Sequence, residues 1–197
     1  VFTLFGTQLS QVCLIVLGIL VTAGEYSNGM VRATLTAVPA RLPVLWSKAA
    51  IYTAVAFTVS LMTNVVTFLA AQIWLSGSDK QLSLTDDGVF AALTTSAVSL
   101  TLLGLIALGL GALLRSVPGA IGACVGAVLV LPEVLAMLPF TAVDTAVSYF
   151  PAQAASALGS VHRVENAIAP GPALLTLALW SAAVIACASV LLKRRDV

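Results

Sequence analysis

Five long apolar runs are the feature of this sequence that most limits how the chain can fold. Each contains about 20 residues, the length that an α-helix needs to cross a hydrocarbon core of about 30 Å. Their interiors carry almost no charge, and the mean hydropathy of the chain is +1.08. The runs are Leu4–Ala23, Ile51–Leu75, Val89–Leu114, Gly119–Leu138 and Pro172–Leu192. The sequence therefore predicts an all-α transmembrane helical bundle, with residues 1–197 forming one transmembrane domain.

The composition argues against an ordinary soluble domain, a nucleic-acid-binding protein and a protein built on disulfides or a cysteine metal site. Charged residues make up 9% of the chain and hydrophobic residues 60%, whereas about 25% of an ordinary soluble domain is charged. A net charge of +1 gives no reason to expect a nucleic-acid partner. Cys13, Cys124 and Cys187 all lie inside apolar runs, with spacing that fits neither a disulfide framework nor a metal site. We expect them to act as small packing residues in contact with lipid or neighbouring helices.

The basic residues alternate from one side of the predicted bundle to the other. Seven of the nine fall on one side, and only Lys80 and Arg163 fall on the other. Because lysine and arginine concentrate in cytoplasmic loops, this distribution predicts a multi-pass plasma-membrane protein with the seven facing the cytoplasm. Val1 then starts outside. The odd number of spans and the missing initiator methionine both lead us to expect one more span ahead of Val1, and six spans in total. The seven are Arg32, Arg41, Lys48, Arg115, Lys193, Arg194 and Arg195.

The predicted cytoplasmic connection, Gly24–Ala50, contains a short amphipathic helix. Its apolar positions Val31, Leu35 and Val38 recur at helical spacing, with Ser27 or Asn28 as a possible cap. Proline ends this helix at position 39, and a second proline at 43 suits the first turn of the next span. The helix has two interpretations: a membrane-surface element that only covers its own apolar face, or a docking element for a cytoplasmic partner.

The residues from Gly24 to Arg32, Gly-Glu-Tyr-Ser-Asn-Gly-Met-Val-Arg, favour the second interpretation. They resemble the Gly-Glu-Tyr-(small)-x-Gly-x-x-Arg pattern of ATP-binding cassette (ABC) export permeases of the second type. In that family the pattern follows the second of six spans and leads into the coupling helix that meets the ATPase. Weaker similarities are Pro39-Ala40-Arg41, the segment from Tyr149 to Ala154 and the basic tail.

The resemblance implies that this chain is the permease subunit of an exporter, without catalytic residues or a metal of its own. ATP and Mg²⁺ would bind to separate cytoplasmic ATPase subunits, and the permease would dimerise with a second copy or a paralogue. No Gly-x-x-x-x-Gly-Lys-(Ser/Thr) motif occurs in the sequence. The resemblance also implies that Glu25 pairs with Arg32 or a neighbouring basic group. The implied ATPase contacts are Glu25, Met30, Val31, Arg32, Leu35, Val38 and Arg41.

The second long connection, Pro139–Gly171, is predicted to lie outside and to form two short amphipathic helices. Helical spacing relates Val143, Val147 and Phe150, and again Ala154, Leu158 and Val161, with Pro151 between the two sets. We expect these helices to lie at the outer leaflet or dip into it. The family resemblance implies an outer cap that helps to close the exit.

Three polar residues inside the spans are candidates for a transport pathway. Asn64 and Gln72 lie eight residues apart on one helical face, where they either line a polar seam or form hydrogen bonds within the bundle. Glu133 is an ionisable group at membrane depth, which often marks a pathway, although it also lies near the outer end of its helix. Two rival functions stay open: an ion-coupled carrier or channel that uses Glu133, and a non-transporting membrane scaffold.

Overall fold

The computed structural model describes residues 2–30, 41–74, 88–137, 141–159 and 169–194. Of these residues 94% are helical and none belongs to a strand. The four longest helices are α1 (Phe2–Ser27), α2 (Arg41–Trp74), α3 (Val89–Leu114) and α8 (Pro170–Arg194). Between α3 and α8 lie α4 (Val117–Cys124), a π-helix (Val125–Val130), α5 (Leu131–Ala136), α6 (Thr141–Ser148) and α7 (Pro151–Gly159).

The described residues contain five helical stretches that are long and apolar enough to cross a membrane, which confirms the all-α transmembrane prediction. The third stretch has the bounds that the sequence predicts. The fourth is a compound rod made of α4, the π-helix and α5. The five stretches are Leu9–Ser27, Leu42–Ile73, Val89–Leu114, Val117–Ala136 and Pro170–Arg194. A sixth span ahead of Val1 stays a prediction.

Both neighbouring helices extend into the predicted connection Gly24–Ala50. Helix α1 continues through Ser27, and α2 begins at Arg41, two residues before the proline that the sequence places in the first turn of the next span. The Ser27 hydroxyl donates to the Gly24 carbonyl in the last turn of α1, at 2.8 Å, so Ser27 does not cap a following helix. The predicted amphipathic helix over residues 31–38 lies outside the described residues.

Helix α3 is the centre of the bundle. Of its most apolar part, 72% is buried inside the protein, against 11% of the corresponding part of α2. The helices α1, α2, α4, α7 and α8 all pack against it. The other four spans are therefore arranged around a single buried helix, and most of the outer surface of α2 is left apolar and exposed.

Glycines allow the backbones of this bundle to approach each other closely. A Cβ on Gly18 of α1 would lie 2.5 Å from the Gly104 carbonyl oxygen of α3, and one on Gly109 would lie 2.6 Å from a methyl group of Val184 on α8. A Cβ on Gly104 would collide with the Tyr52 hydroxyl of α2. Small residues at such contacts are the usual way in which transmembrane helices pack.

The π-helix in the fourth span has a local cause in Pro132. A proline inside an α-helix lacks the N–H for the usual bond, and its ring clashes with the carbonyl four residues earlier. Just before it, the Leu131 N–H bonds instead to the Gly126 carbonyl, five residues back. This wider turn accommodates Pro132, which is itself buried in the bundle.

The two short helices predicted after the fourth span are present as α6 and α7, and Pro151 is the first residue of α7. Helix α7 packs on both α3 and α8, with Ala154 and Leu158 buried in the core. The Trp180 indole of α8 donates to the Tyr149 carbonyl at the α6–α7 turn, at 3.2 Å. Since Trp180 lies ten residues into α8, the turn reaches about 15 Å along that helix. Helix α7 and this turn therefore lie against the bundle, and their position at the outer leaflet stays a prediction.

We predict that Gly104→Ala destabilises the protein by about 1–3 kcal/mol, because its Cβ overlaps the buried Tyr52 phenol. Thermal unfolding in detergent measures the effect, at about 2–4 °C per kcal/mol for a chain of this size. The matched control is Gly122→Ala on α4, where nothing lies within 4 Å of the added Cβ. If both variants unfold at the same temperature, the close packing at Gly104 does not stabilise the fold.

Candidate functional site

Basic side chains collect at one end of the helix bundle. The C-terminal ends of α1, α3 and α8 meet the N-terminal ends of α2 and α4 there, as their mutual contacts show. We call this the basic end, defined by Lys48, Arg115, Lys193 and Arg194. The structure thus groups four of the seven residues that the sequence assigns to the cytoplasmic side.

Glu25 and Lys48 form an ion pair at the basic end. The Lys48 Nζ lies 2.5 Å from a Glu25 carboxylate oxygen, and the two side chains are 20% and 25% exposed. The same Nζ donates to the Val21 carbonyl at 3.2 Å. The partner of Glu25 is thus a neighbouring basic group, as the resemblance allows. The sequence places Lys48 only among the basic residues of the cytoplasmic side, because nothing in the pattern links two residues so far apart in the chain.

A second contact joins the α3–α4 turn to α1 beside this pair. The Arg115 guanidinium lies 5.2 Å from the centroid of the Tyr26 ring, within the range of a cation–π interaction. Arg115 has a left-handed backbone with φ 53°, and its N–H donates to the Gly111 carbonyl at 3.0 Å. Ser116 then accepts a hydrogen bond from the Gly119 N–H at the start of α4. Sequence reasoning did not identify Tyr26 or Arg115 as interacting residues.

The basic end is also where the candidate docking segment leaves the bundle. Met30, the last described residue before the gap, is helical and 57% exposed. Arg41 begins α2, but its side chain lies outside the described part of the structure. Val31, Arg32, Leu35 and Val38 lie outside it altogether. Of the predicted ATPase contacts, the structure therefore fixes Glu25 and Met30 and the backbone of Arg41.

The pathway candidates do not form one site. The Asn64 amide donates to the Leu93 carbonyl of α3 at 3.1 Å. For Asn64 this agrees with a hydrogen bond within the bundle, the second of the two roles that the sequence leaves open. Gln72 lies half-buried farther along α2. Glu133 is exposed in the first turn of the short helix α5, and it accepts a hydrogen bond of 2.9 Å from the Gln153 amide of α7. Asn64 is thus tied to α3, whereas Glu133 is tied to α7.

Within the described ranges, no three histidine, cysteine, aspartate or glutamate side chains come close enough to hold a metal ion. Comparison of the chain with protein-family models, with curated proteins and with solved structures finds no match.

We predict that Glu25 and Lys48 are energetically coupled. A double-mutant cycle with Glu25→Gln and Lys48→Met should give a coupling of about 1 kcal/mol, the upper range for partly exposed ion pairs. The measurement is the unfolding midpoint of each variant in detergent at low salt. As a control, Glu133→Gln at the opposite end should add independently to Lys48→Met. Equal coupling in both cycles would mean that the ion pair contributes nothing specific.

Proposed function

We propose that this chain is the membrane-spanning subunit of an ATP-driven exporter. In this proposal it dimerises with a second copy or a paralogue in the plasma membrane, and separate cytoplasmic ATPase subunits move it. The ATPases would dock on the segment that includes residues 30–41, and the basic end would face the cytoplasm. The motif from Gly24 to Arg32 suggests this function, and the Glu25–Lys48 ion pair is the structural observation that carries it furthest.

The ion pair supports the proposal because it joins the two ends of the docking segment. Glu25 precedes the segment on α1, and Lys48 follows it on α2. The ion pair therefore joins the two helices at the points near which the segment begins and ends. The Lys48 ammonium group also donates a hydrogen bond to the Val21 carbonyl of α1. A displacement of the segment would therefore move α1 and α2 together, rather than being absorbed by a flexible loop.

The contacts further along these helices would pass the movement to the rest of the bundle. The Thr22 hydroxyl of α1 donates to the Leu108 carbonyl of α3 at 2.8 Å, and the Tyr52 hydroxyl of α2 donates to the Leu14 carbonyl of α1 at 2.8 Å. These bonds lie in a closely packed interface of three helices. Such a unit suits a rigid-body mechanism, in which nucleotide-driven closure of the ATPases changes the face of a cavity between two protomers.

We favour the exporter over the ion-coupled carrier because Glu133 is exposed and bonded to Gln153. A coupling group is expected inside the bundle or along a water-filled cavity. The membrane scaffold is distinguished by experiment, since only the exporter requires a stoichiometric ATPase partner.

The docking prediction is tested with Val31→Asp combined with Leu35→Asp. Charge on the apolar face of the docking helix should weaken ATPase association about a hundredfold, near 3 kcal/mol, because it would be buried without a partner. The matched control is Ala33→Asp with Ala37→Asp, which has the same charge and spacing on the opposite face. The readout is ATPase co-purification from detergent, with membrane insertion checked separately. If the first variant inserts and retains its ATPase fully, the partner docks elsewhere.

The orientation is tested with single cysteines at Ala40 and Ser160, in a background in which Cys13, Cys124 and Cys187 are replaced. The seven-to-two distribution of basic residues predicts that an impermeant maleimide labels position 160 in intact cells and position 40 only after the membrane is opened. Labelling of both positions in intact cells would place the docking segment outside, which would exclude a cytoplasmic ATPase there.

A further inference from the structure

Two polar side-chain atoms are buried in the bundle without a hydrogen-bond partner among the described residues. They are the Gln11 Nε2 of α1 and the Ser60 Oγ of α2, and Ser60 as a whole is only 3% exposed. A buried polar group left without a partner costs about 1–3 kcal/mol. Two such atoms on neighbouring helices therefore indicate a place for a further hydrogen-bonding group.

Ser60 differs from two other hydroxyl residues of its own helix. Thr53 and Thr58 each donate to the carbonyl four residues earlier on α2, at 2.7 and 2.8 Å. This local bond is the usual way in which a hydroxyl is satisfied inside an apolar helix. The Ser60 hydroxyl makes no such bond to the Ala56 carbonyl. Its hydroxyl is thus available for a group outside α2.

The packing of α1 on α3 places Gln11 at the level of Ala97. Thr22 bonds to Leu108, 86 residues later, and Gly18 lies against Gly104 with the same offset. Since α1 and α3 run in the same direction, this offset brings Gln11 level with Ala97. Gln11 also precedes Gly18 by seven residues, which is close to two helical turns and puts both on the face that meets α3.

The packing of α2 on α3 brings Ser60 to the same level. Asn64 bonds to Leu93, and Tyr52 lies against Gly104, so α2 and α3 run in opposite directions. Ser60 lies about one turn before Asn64, which corresponds to one turn beyond Leu93 on α3, at Ala97. Ala97 is fully buried, and its side chain is a single methyl group.

We propose that Gln11 and Ser60 bind a water molecule beside Ala97, and we call this three-residue site the polar seat. Water matches the two unsatisfied atoms, because it can accept from the Gln11 amide and can donate to or accept from the Ser60 hydroxyl. Buried waters typically make two to four such bonds. The polar seat would place one bound water molecule between α1, α2 and α3. This proposal does not depend on whether an ATPase moves the bundle.

The direct test is water-edited solid-state NMR of the full chain in lipid bilayers, with ¹⁵N-labelled glutamine. The Gln11 side-chain signal, assigned by its loss in Gln11→Leu, should receive magnetisation from water. Ser60→Ala should reduce this transfer on the order of fivefold, because the water loses one of its two anchors. The matched control is Ser99→Ala, which removes an equally buried hydroxyl already bonded to the Ser96 carbonyl. Transfer that is absent in the original chain, or unchanged in Ser60→Ala, would overturn the proposal.

Thermal unfolding provides a second measurement that needs no assigned signal. If Ser60 holds water, Ser60→Ala should lower the unfolding midpoint by about 2–4 °C, and Gln11→Leu should add little to it because both remove the same bridge. If the hydroxyl binds nothing, its removal relieves an unsatisfied group, so Ser60→Ala would leave the midpoint unchanged or raise it. That result would also overturn the polar seat, while leaving the ATPase-docking test unaffected.

Discussion

The close approach of α1, α2 and α8 to α3 is the constraint on which the rest of the structure depends. Lipid tails are as apolar as the helix surfaces, so no hydrophobic force drives one transmembrane helix against another. Packing and interhelical hydrogen bonds must hold the bundle instead. Gly18 and Gly104 bring α1 and α3 close enough for both to operate. The Thr22 hydroxyl reaches the Leu108 carbonyl only because the two helices lie so near each other.

This packing also determines what the polar residues of the spans can do. The Tyr52 phenol occupies the space that a side chain at position 104 would need, and its hydroxyl bonds to the Leu14 carbonyl. One residue thereby links α2 to both of its neighbours. Asn64 repeats the arrangement about three turns further along, with a bond to Leu93. Asn64, a pathway candidate in the sequence, therefore forms a hydrogen bond between two helices.

The sequence predicts the parts of this fold that depend on continuous hydrophobicity. Val89–Leu114 is predicted at its observed bounds because Asp87 and Arg115 bound an uncharged run. The residues that flank the helix, Gly88 and Arg115, both have left-handed backbone. The start of α2 at Arg41 lies close to Pro43, the residue that the sequence places in the first turn of the second span. The Glu25–Lys48 pair and the polar seat depend on the register between helices, which a single sequence does not contain.

The ion pair and the polar seat occupy different levels of the same three helices, and this arrangement bears on mechanism. Between Glu25 and Gln11, α1 is bound to its neighbours at Val21, Leu14 and Gly18, through a side chain or a tight backbone contact at each. In the proposed mechanism, a tilt of the candidate docking segment would therefore be resisted near the basic end, whereas the contact at the polar seat would be a water bridge. Water can exchange partners without leaving a buried group unsatisfied. At the proposed polar seat a bridging water, rather than a direct side-chain bond, would join Gln11 of α1 to Ser60 of α2.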